Sequence, residues 1–193
     1  MTIPPMSRPY VDPLAGELLE RRATPRRALF LDRDGVINVD HGYVHEPDRT
    51  DWVPGVFDLC KIAHKRGYLL IVVTNQAGIA RGYYDEPEFL RYSAWVHAEF
   101  RKHGAPLLAT FYCPHHPIEG LKEYRQECEC RKPKPGMILG AKELFSIALE
   151  ESILIGDKES DIEAGTRAGV AKQVKIEGRL PADTQSILCE LPD

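Results

Sequence analysis

Two carboxylates stand at the end of one short apolar run near the start of the chain. Residues 29–31 are apolar, and Asp32 and Asp34 follow at once. This pattern is typical of a buried strand that delivers a pair of acids at its C-terminal end. Carboxylates at the rim of an apolar core are costly unless a cation meets them. Because open α/β sheets bind ligands outside these strand ends, the pair predicts a cation-dependent site, although acidic turns without chemistry follow the same pattern.

Further polar residues follow other apolar runs along the chain. A second run ends in Gly and Asp157, with Asp161 four residues later, and a third run ends in Thr74. Lys132 lies in a cationic turn ahead of a helical pattern. Acid pair, hydroxyl, lysine and acid, in that chain order, resemble the haloacid dehalogenase-like phosphotransferases.

That resemblance implies a role for each residue of the set. Asp32 would attack phosphorus and form an aspartyl-phosphate, and Asp34 would act as general acid and base. Mg²⁺ would be held by Asp32, Asp157 and the backbone carbonyl of Asp34. Thr74 would hydrogen-bond the transferred phosphoryl group, and Lys132 would neutralise the charge on its oxygens. Asp161 is then expected to orient the site, or the lysine, without binding the metal.

A second group of residues has the composition of a metal site. Cys113 and His115 are followed, after a short loop, by Cys128 and Cys130. Three thiols and one imidazole match a closed, structural Zn²⁺ site that leaves no open position for chemistry. His116 is the alternative imidazole. A disulfide is the rival interpretation, but it leaves His115 unexplained.

Five stretches narrow the resemblance to the family of D-glycero-D-manno-heptose 1,7-bisphosphate phosphatases, which also includes histidinol-phosphate phosphatases with the same zinc loop. They are residues 32–44, 74–82, 113–117, 128–133 and 156–158. The likeness implies hydrolysis of the C7 phosphate of a small phosphorylated sugar, without a large cap domain. Hydrolysis of histidinol phosphate, or of another small phosphomonoester, uses the same catalytic residues. A zinc-binding scaffold without catalysis is the third reading.

The same resemblance implies a set of substrate contacts. Arg131, beside the predicted catalytic lysine, would hold the distal phosphate or its sugar, since a guanidinium suits bidentate phosphate binding. The other residues implied at the substrate are Asp40, His41, Gly42, Tyr43, Asn75, Gln76 and Lys158.

Composition sets the surroundings of this chemistry. The 193 residues are 43% hydrophobic and 28% charged, with a net charge of −4. These values predict one globular domain with no nucleic-acid partner. No apolar run approaches the roughly 20 residues that span a bilayer. Without a signal-peptide pattern, we expect a cytoplasmic protein with reduced cysteines, and a monomer. Cys60 is predicted to be a core thiol, and Cys189 has no identifiable partner.

Alternating elements must position these residues. Short apolar runs between helical patterns predict an α/β fold with a doubly wound parallel sheet and a zinc-stabilised loop at about 113–130. The last helix is predicted to be capped by Ser160 with Glu163, and the helix before it to run over about 136–149. Residues 1–26, rich in proline, are predicted to be an extension with a short helix inside 12–22. The phosphatase domain is then 27–193.

Overall fold

The computed structural model of the chain describes residues 7–180 and 187–188. The strands of its sheet are β1 (Tyr10–Val11), β2 (Ala28–Leu31), β3 (Leu69–Asn75), β4 (Leu107–Cys113), β5 (Ile153–Gly156) and β6 (Lys172–Lys175). The helices are α1 (Ala15–Glu20), α2 (Val56–Lys65), α3 (Ala77–Arg81), α4 (Glu86–Lys102), α5 (Gly136–Phe145) and α6 (Glu159–Ala168). Within these described ranges, no helix is both long and apolar enough to cross a bilayer. Cys189 lies outside them.

The strands form one six-stranded sheet in the order β1-β4-β3-β2-β5-β6. All neighbours from β4 to β6 pair in parallel, which confirms the predicted α/β fold class. The C-terminal ends of β2, β3 and β5 therefore share one edge. The exception is β1, which pairs antiparallel with β4, Tyr10 opposite Thr110. The sequence did not predict this strand, because two residues are too few to show an alternating pattern.

Both faces of the sheet are buried along its four inner strands β4, β3, β2 and β5, which is why these strands are largely apolar. Successive strand residues point to opposite faces. Leu31 and Val72 join a core beneath α2 and α4, whereas Phe30 and Ile71 join a second core beneath α1 and α5. Each buried side chain of this size contributes about 1.5–3 kcal/mol. Cys60 is fully buried in the first core, as predicted.

Two predicted helix ends differ from the structure. The cap formed by Ser160 and Glu163 is wrong: α6 begins at Glu159, and the Asp161 carboxylate accepts the Lys158 N–H at 2.9 Å. Helix α5 ends at Phe145, before the predicted 149, because Ser146 adopts a left-handed conformation with φ of 54°. Helix α3 was not predicted, since five residues are too short to establish a helical period.

The N-terminal segment is fastened to the sheet by a buried polar cluster. Asp12, 2% exposed, accepts from Arg101 Nη1 at 2.6 and 2.8 Å. Its Oδ2 also lies 3.0 Å from Nδ1 of His97, which has no exposed surface. The other imidazole nitrogen lies 2.9 Å from Thr110 Oγ1 on β4. The segment thus supplies a strand and an ion pair in addition to α1, the helix predicted within 12–22.

Candidate active site

The polar residues predicted to do chemistry meet at the shared edge of the sheet. Asp32 follows β2, Asp157 follows β5, and Thr74 lies near the end of β3. Lys132 reaches the same place from the turn before α5. Its Nζ donates to Asp32 Oδ1 and to the Val73 carbonyl, each at 2.8 Å. The strand order therefore assembles residues that lie up to 125 positions apart in the chain (from 32 to 157).

Three carboxylates crowd this edge with few cations to balance them. Oxygens of Asp32, Asp157 and Asp161 lie within 4.8 Å of one another. Lys132 Nζ is 2.6 Å from Asp161 Oδ1, and Lys158 Nζ is 3.9 Å from Asp157 Oδ2. The second oxygen of Asp157, Oδ1, is buried without a hydrogen-bond partner. An unpartnered oxygen among hard, anionic ligands fits a Mg²⁺ ion.

The pKa values of these groups reflect the crowding. Burial raises the pKa of Asp32 to about 7; Lys132 opposes the rise and Asp161 adds to it. Burial also raises the pKa of Asp157. For Lys132, burial lowers the pKa, but the charges of Asp32 and Asp161 outweigh it and hold the value above the ordinary one. The lysine is therefore a permanent cation, and a divalent ion would favour the ionised carboxylates.

Asp34 is held by neighbours that the sequence reasoning overlooked. Arg33 Nη2 donates to both oxygens of Asp34, at 2.9 and 2.8 Å, and Asn38 Nδ2 donates to Oδ1 at 3.0 Å. The guanidinium itself is buried and lies over the rings of Phe89 and Tyr92. Arg33 lies between the two acids in the sequence, and its position there indicated no role of its own. Its only sequence signal was a long cation inside an otherwise apolar and acidic run.

Asn75 and Gln76, both implied as substrate contacts, face other residues of the site. Asn75 Nδ2 donates to the Lys132 carbonyl at 3.1 Å, and Asn75 Oδ1 accepts the Lys132 N–H at 3.0 Å. These two bonds attach the lysine-bearing turn to β3. Gln76 is 1% exposed, and its Nε2 donates to Thr74 Oγ1 at 2.7 Å. The two amides thus hold protein groups in place.

The loop implied to line the substrate lies across from Lys158. Asp40 accepts from Lys158 Nζ at 3.2 Å and from the Gly42 N–H at 3.0 Å. His41 is exposed and pairs with another loop carboxylate, and Tyr43, 38% exposed, has φ of 54°. The salt bridge places this loop beside the carboxylate cluster, because Lys158 directly follows Asp157.

Four buried side chains converge beyond β4. Sγ atoms of Cys113 and Cys130 lie 3.5 and 3.3 Å from Cys128 Sγ, and His115 Nδ1 lies 3.8 and 3.5 Å from Cys113 and Cys130. A tetrahedral Zn²⁺ with bonds of about 2.3 Å separates its sulfurs by about 3.8 Å, so the set fits zinc. The cysteines are not disulfide-bonded. His116 lies outside the cluster and accepts two backbone N–H groups of its own loop.

Arg131 lies between this cluster and the carboxylates. Its Nη1 donates to the His115 carbonyl at 3.0 Å, and Lys132 follows it directly. A metal bound by the cysteines and His115 would therefore stiffen the segment from which both cations project.

Comparisons with known proteins agree with this geometry. A family model described as HAD-hydrolase-like matches residues 129–174. In a search of solved structures, the chain is similar to a HAD-like phosphatase from Mesorhizobium loti, with a TM-score of 0.77 and 32% identity over 86% of this chain and 87% of that one. The chain is also similar to the D,D-heptose 1,7-bisphosphate phosphatase of B. bronchiseptica, whose structure was solved in complex with magnesium and phosphate. The TM-score is 0.71 and the sequence identity is 28%, over 85% of this chain and 99% of that one. The fold and the site thus define a haloacid dehalogenase-like phosphatase, a phosphoric monoester hydrolase.

Sequence comparison narrows this class. The D-glycero-alpha-D-manno-heptose-1,7-bisphosphate 7-phosphatase of Burkholderia mallei is 53% identical over 150 residues, 78% of this chain and 79% of the relative. The corresponding beta-anomer phosphatase of Escherichia coli K12 is 45% identical over 149 residues, 77% of this chain and 78% of the relative. The chain belongs to the family of the heptose-1,7-bisphosphate 7-phosphatases.

Proposed function

We propose that the protein removes the C7 phosphate of D-glycero-D-manno-heptose 1,7-bisphosphate through an aspartyl-phosphate. The observation that carries the proposal is the buried Asp32 carboxylate, 2.8 Å from Lys132 Nζ and within 4.8 Å of the Asp157 and Asp161 oxygens, in a chain of this family. Residues 27–193 would form the phosphatase domain, with the preceding segment packed against it through β1 and α1, and the protein would act as a monomer in the cytoplasm.

In this mechanism, Asp32 attacks phosphorus and the C7 oxygen leaves. Asp34 gives that oxygen its proton and then takes one from the water that hydrolyses the acyl-phosphate. The Thr74 hydroxyl donates to a phosphoryl oxygen, and Lys132 balances the negative charge that accumulates there. The bonds from Arg33 and Asn38 hold Asp34 at a constant place during both proton transfers.

Two metals complete the proposal. Mg²⁺ would be held by Asp32, Asp157 and the Asp34 carbonyl, and it would screen the charge between the carboxylates and the phosphate. Zn²⁺ would be held by the four buried side chains of Cys113, His115, Cys128 and Cys130, with a structural role only.

Substrate choice would come from the loops around the carboxylates. Arg131, anchored on the His115 carbonyl, would bind the distal phosphate, and Lys158 with the 40–43 loop would contact the sugar. Asn75 and Gln76 are proposed to support the site, since their amide groups already bond to Lys132 and Thr74.

The substrate is tested by comparing kcat/KM for both anomers of the heptose bisphosphate and for histidinol phosphate, with Mg²⁺ present. We expect a preference for a heptose bisphosphate of at least about tenfold, which equals 1.4 kcal/mol of transition-state stabilisation. Asp32→Asn is the control and should lose activity on every substrate. A preference for histidinol phosphate would overturn the substrate, and an active Asp32→Asn enzyme would overturn the mechanism.

A further inference from the structure

Gln76 is a buried side chain next to the phosphoryl site, and its amide has three hydrogen-bond partners. Its Nε2 donates to Thr74 Oγ1 at 2.7 Å and points to Asp34 Oδ2 at 3.4 Å, while its Oε1 accepts from the Tyr84 hydroxyl at 2.5 Å. With 1% of its surface exposed, it has no face left for substrate. Any effect of this side chain on the reaction must pass through its protein neighbours.

The orientation of this amide decides what the neighbours can do. With Nε2 toward Thr74, the Thr74 oxygen already accepts a hydrogen bond, so its own proton is free to point at a phosphoryl oxygen. The reversed amide would bring Oε1 toward Thr74 Oγ1 and the Asp34 carboxylate. In that arrangement the Thr74 hydroxyl would donate its proton to Gln76 Oε1, and the same amide oxygen would face the negatively charged Asp34 carboxylate. The productive orientation therefore needs a donor on the far side of the amide.

Tyr84 supplies that donor and is itself tightly held. It is 4% exposed, and its ring stacks on His45 with centroids 4.4 Å apart. A Cβ at Gly78 would lie 2.3 Å from Tyr84 Cε1 and 2.6 Å from its hydroxyl oxygen, so only glycine leaves room there. Burial raises the pKa of Tyr84 to about 12, and the hydroxyl stays a donor at neutral pH. Nothing in the sequence pattern singled this tyrosine out.

We propose that Tyr84 is a positioning residue for phosphoryl transfer, acting through Gln76. Its hydroxyl locks the Gln76 amide, and the locked amide sets the direction in which the Thr74 hydroxyl donates. The proposal rests on the phosphatase mechanism above, but not on the identity of the sugar. The Tyr84 hydroxyl donates to Gln76 and lies near Arg33, and it makes no hydrogen bond to Asp32, Asp157 or Asp161.

The test is a double-mutant cycle of Tyr84→Phe and Gln76→Ala, assayed with p-nitrophenyl phosphate and with heptose bisphosphate. Tyr84→Phe removes one oxygen, and we expect kcat to fall about five- to tenfold while KM changes less than about twofold. In the Gln76→Ala background the same change should lower kcat by less than about twofold, because the residue it acts through is gone.

Tyr68→Phe is the matched control. It removes a hydroxyl from another tyrosine, 2% exposed, which stacks under Arg27 next to β3 at the end away from the carboxylates. It should leave kcat unchanged, and thermal unfolding of each variant separates loss of folding from loss of positioning. An unchanged kcat in Tyr84→Phe would overturn the proposal that Tyr84 acts through Gln76. So would a double variant in which the two losses of kcat multiply, because the two side chains would then act independently. If the proposed substrate is wrong, the wild-type enzyme will turn over heptose bisphosphate poorly. The double-mutant cycle measured with p-nitrophenyl phosphate would still test the role of Tyr84.

Discussion

At the scale of single residues, Lys132 is a buried cation that balances two buried carboxylates. Its Nζ contacts Asp32, Asp161 and the Val73 carbonyl within 2.6–2.8 Å. Removing one partner of a buried ion pair costs about 3–5 kcal/mol, because the other charge stays buried and uncompensated. The lysine is therefore both a part of the proposed chemistry and a condition for folding around the carboxylates.

We predict that Lys132→Met lowers the free energy of unfolding by about 3–5 kcal/mol in a chelator, and that added Mg²⁺ restores part of it. Denaturant unfolding with and without Mg²⁺ measures both effects. Lys134→Met is the control, since that lysine sits on the surface and pairs with Glu129 at 3.0 Å; it should leave the free energy of unfolding nearly unchanged. Equal stability of the two variants in chelator would contradict this account of the cluster.

At the scale of elements, the loop between β4 and α5 carries three of the four candidate zinc ligands, and the fourth, Cys113, ends β4. It contains two short 3₁₀ or turn segments and little apolar burial of its own, yet it ends at Arg131 and Lys132. Asn75 attaches the Lys132 backbone to β3, whereas the Arg131 side chain is bonded to the carbonyl of His115, which is itself one of the four candidate ligands. Loss of metal should therefore affect Arg131 more than Lys132.

Zinc removal tests this difference. We predict one zinc per chain by elemental analysis, and a Cys128→Ser protein that retains Mg²⁺-dependent turnover of p-nitrophenyl phosphate while its KM for heptose bisphosphate rises about tenfold or more. The reason is that, in the proposed mechanism, the distal phosphate would bind Arg131, whereas p-nitrophenyl phosphate has no distal phosphate. Cys60→Ser, a buried thiol in the other core, controls for the loss of one sulfur. If the KM of Cys128→Ser for heptose bisphosphate were unchanged, the prediction that the metal-bound loop supports substrate binding would be wrong.

At the scale of the whole molecule, the N-terminal segment is part of the folded unit. Besides β1 and its Asp12 cluster, it places three arginines on helix C-terminal carbonyls: Arg22 on His64, Arg27 on Arg66 and Arg26 on Phe145. Cations near helix C-termini are stabilising, since the carbonyls there lack partners and carry the negative end of the helix dipole. These three arginines thus serve folding.

Stability should depend on pH through His97. Burial lowers the pKa of His97 below its ordinary 6.5, and the bond to Asp12 opposes this only in part. Below pH 6.5 the His97 imidazole binds a proton in the unfolded chain, whereas in the folded chain it stays neutral to lower pH. The stabilisation from burying neutral His97 is therefore fully present above that pH and is lost as the pH falls. We predict that the free energy of unfolding drops between pH 7.5 and 5.5, with a smaller drop in His97→Gln. His103→Gln, an exposed control, should keep the wild-type slope; equal slopes in all three proteins would refute the prediction.

The sequence by itself determined the chemistry that the site can perform and the order of its parts. Acids after apolar runs, a hydroxyl and a lysine in one chain order, and a set of three thiols and an imidazole are local signals. They are readable because a parallel sheet brings every C-terminal strand end to one edge. The capping box at the start of α4 is another local signal, because its two bonds, between Asp85 and Glu88, lie within four residues of the chain.

Only the tertiary structure decided how those parts are held. The clamp of Arg33 on Asp34, the contact of Tyr84 with Gln76 and the burial of Asp12 against His97 join residue types that have no fixed spacing and are common on any surface. Their meaning comes from burial, because a hydrogen bond or charge decides orientation only where water cannot replace it. Burial is set by the packing of distant segments, and no local pattern in the chain records it.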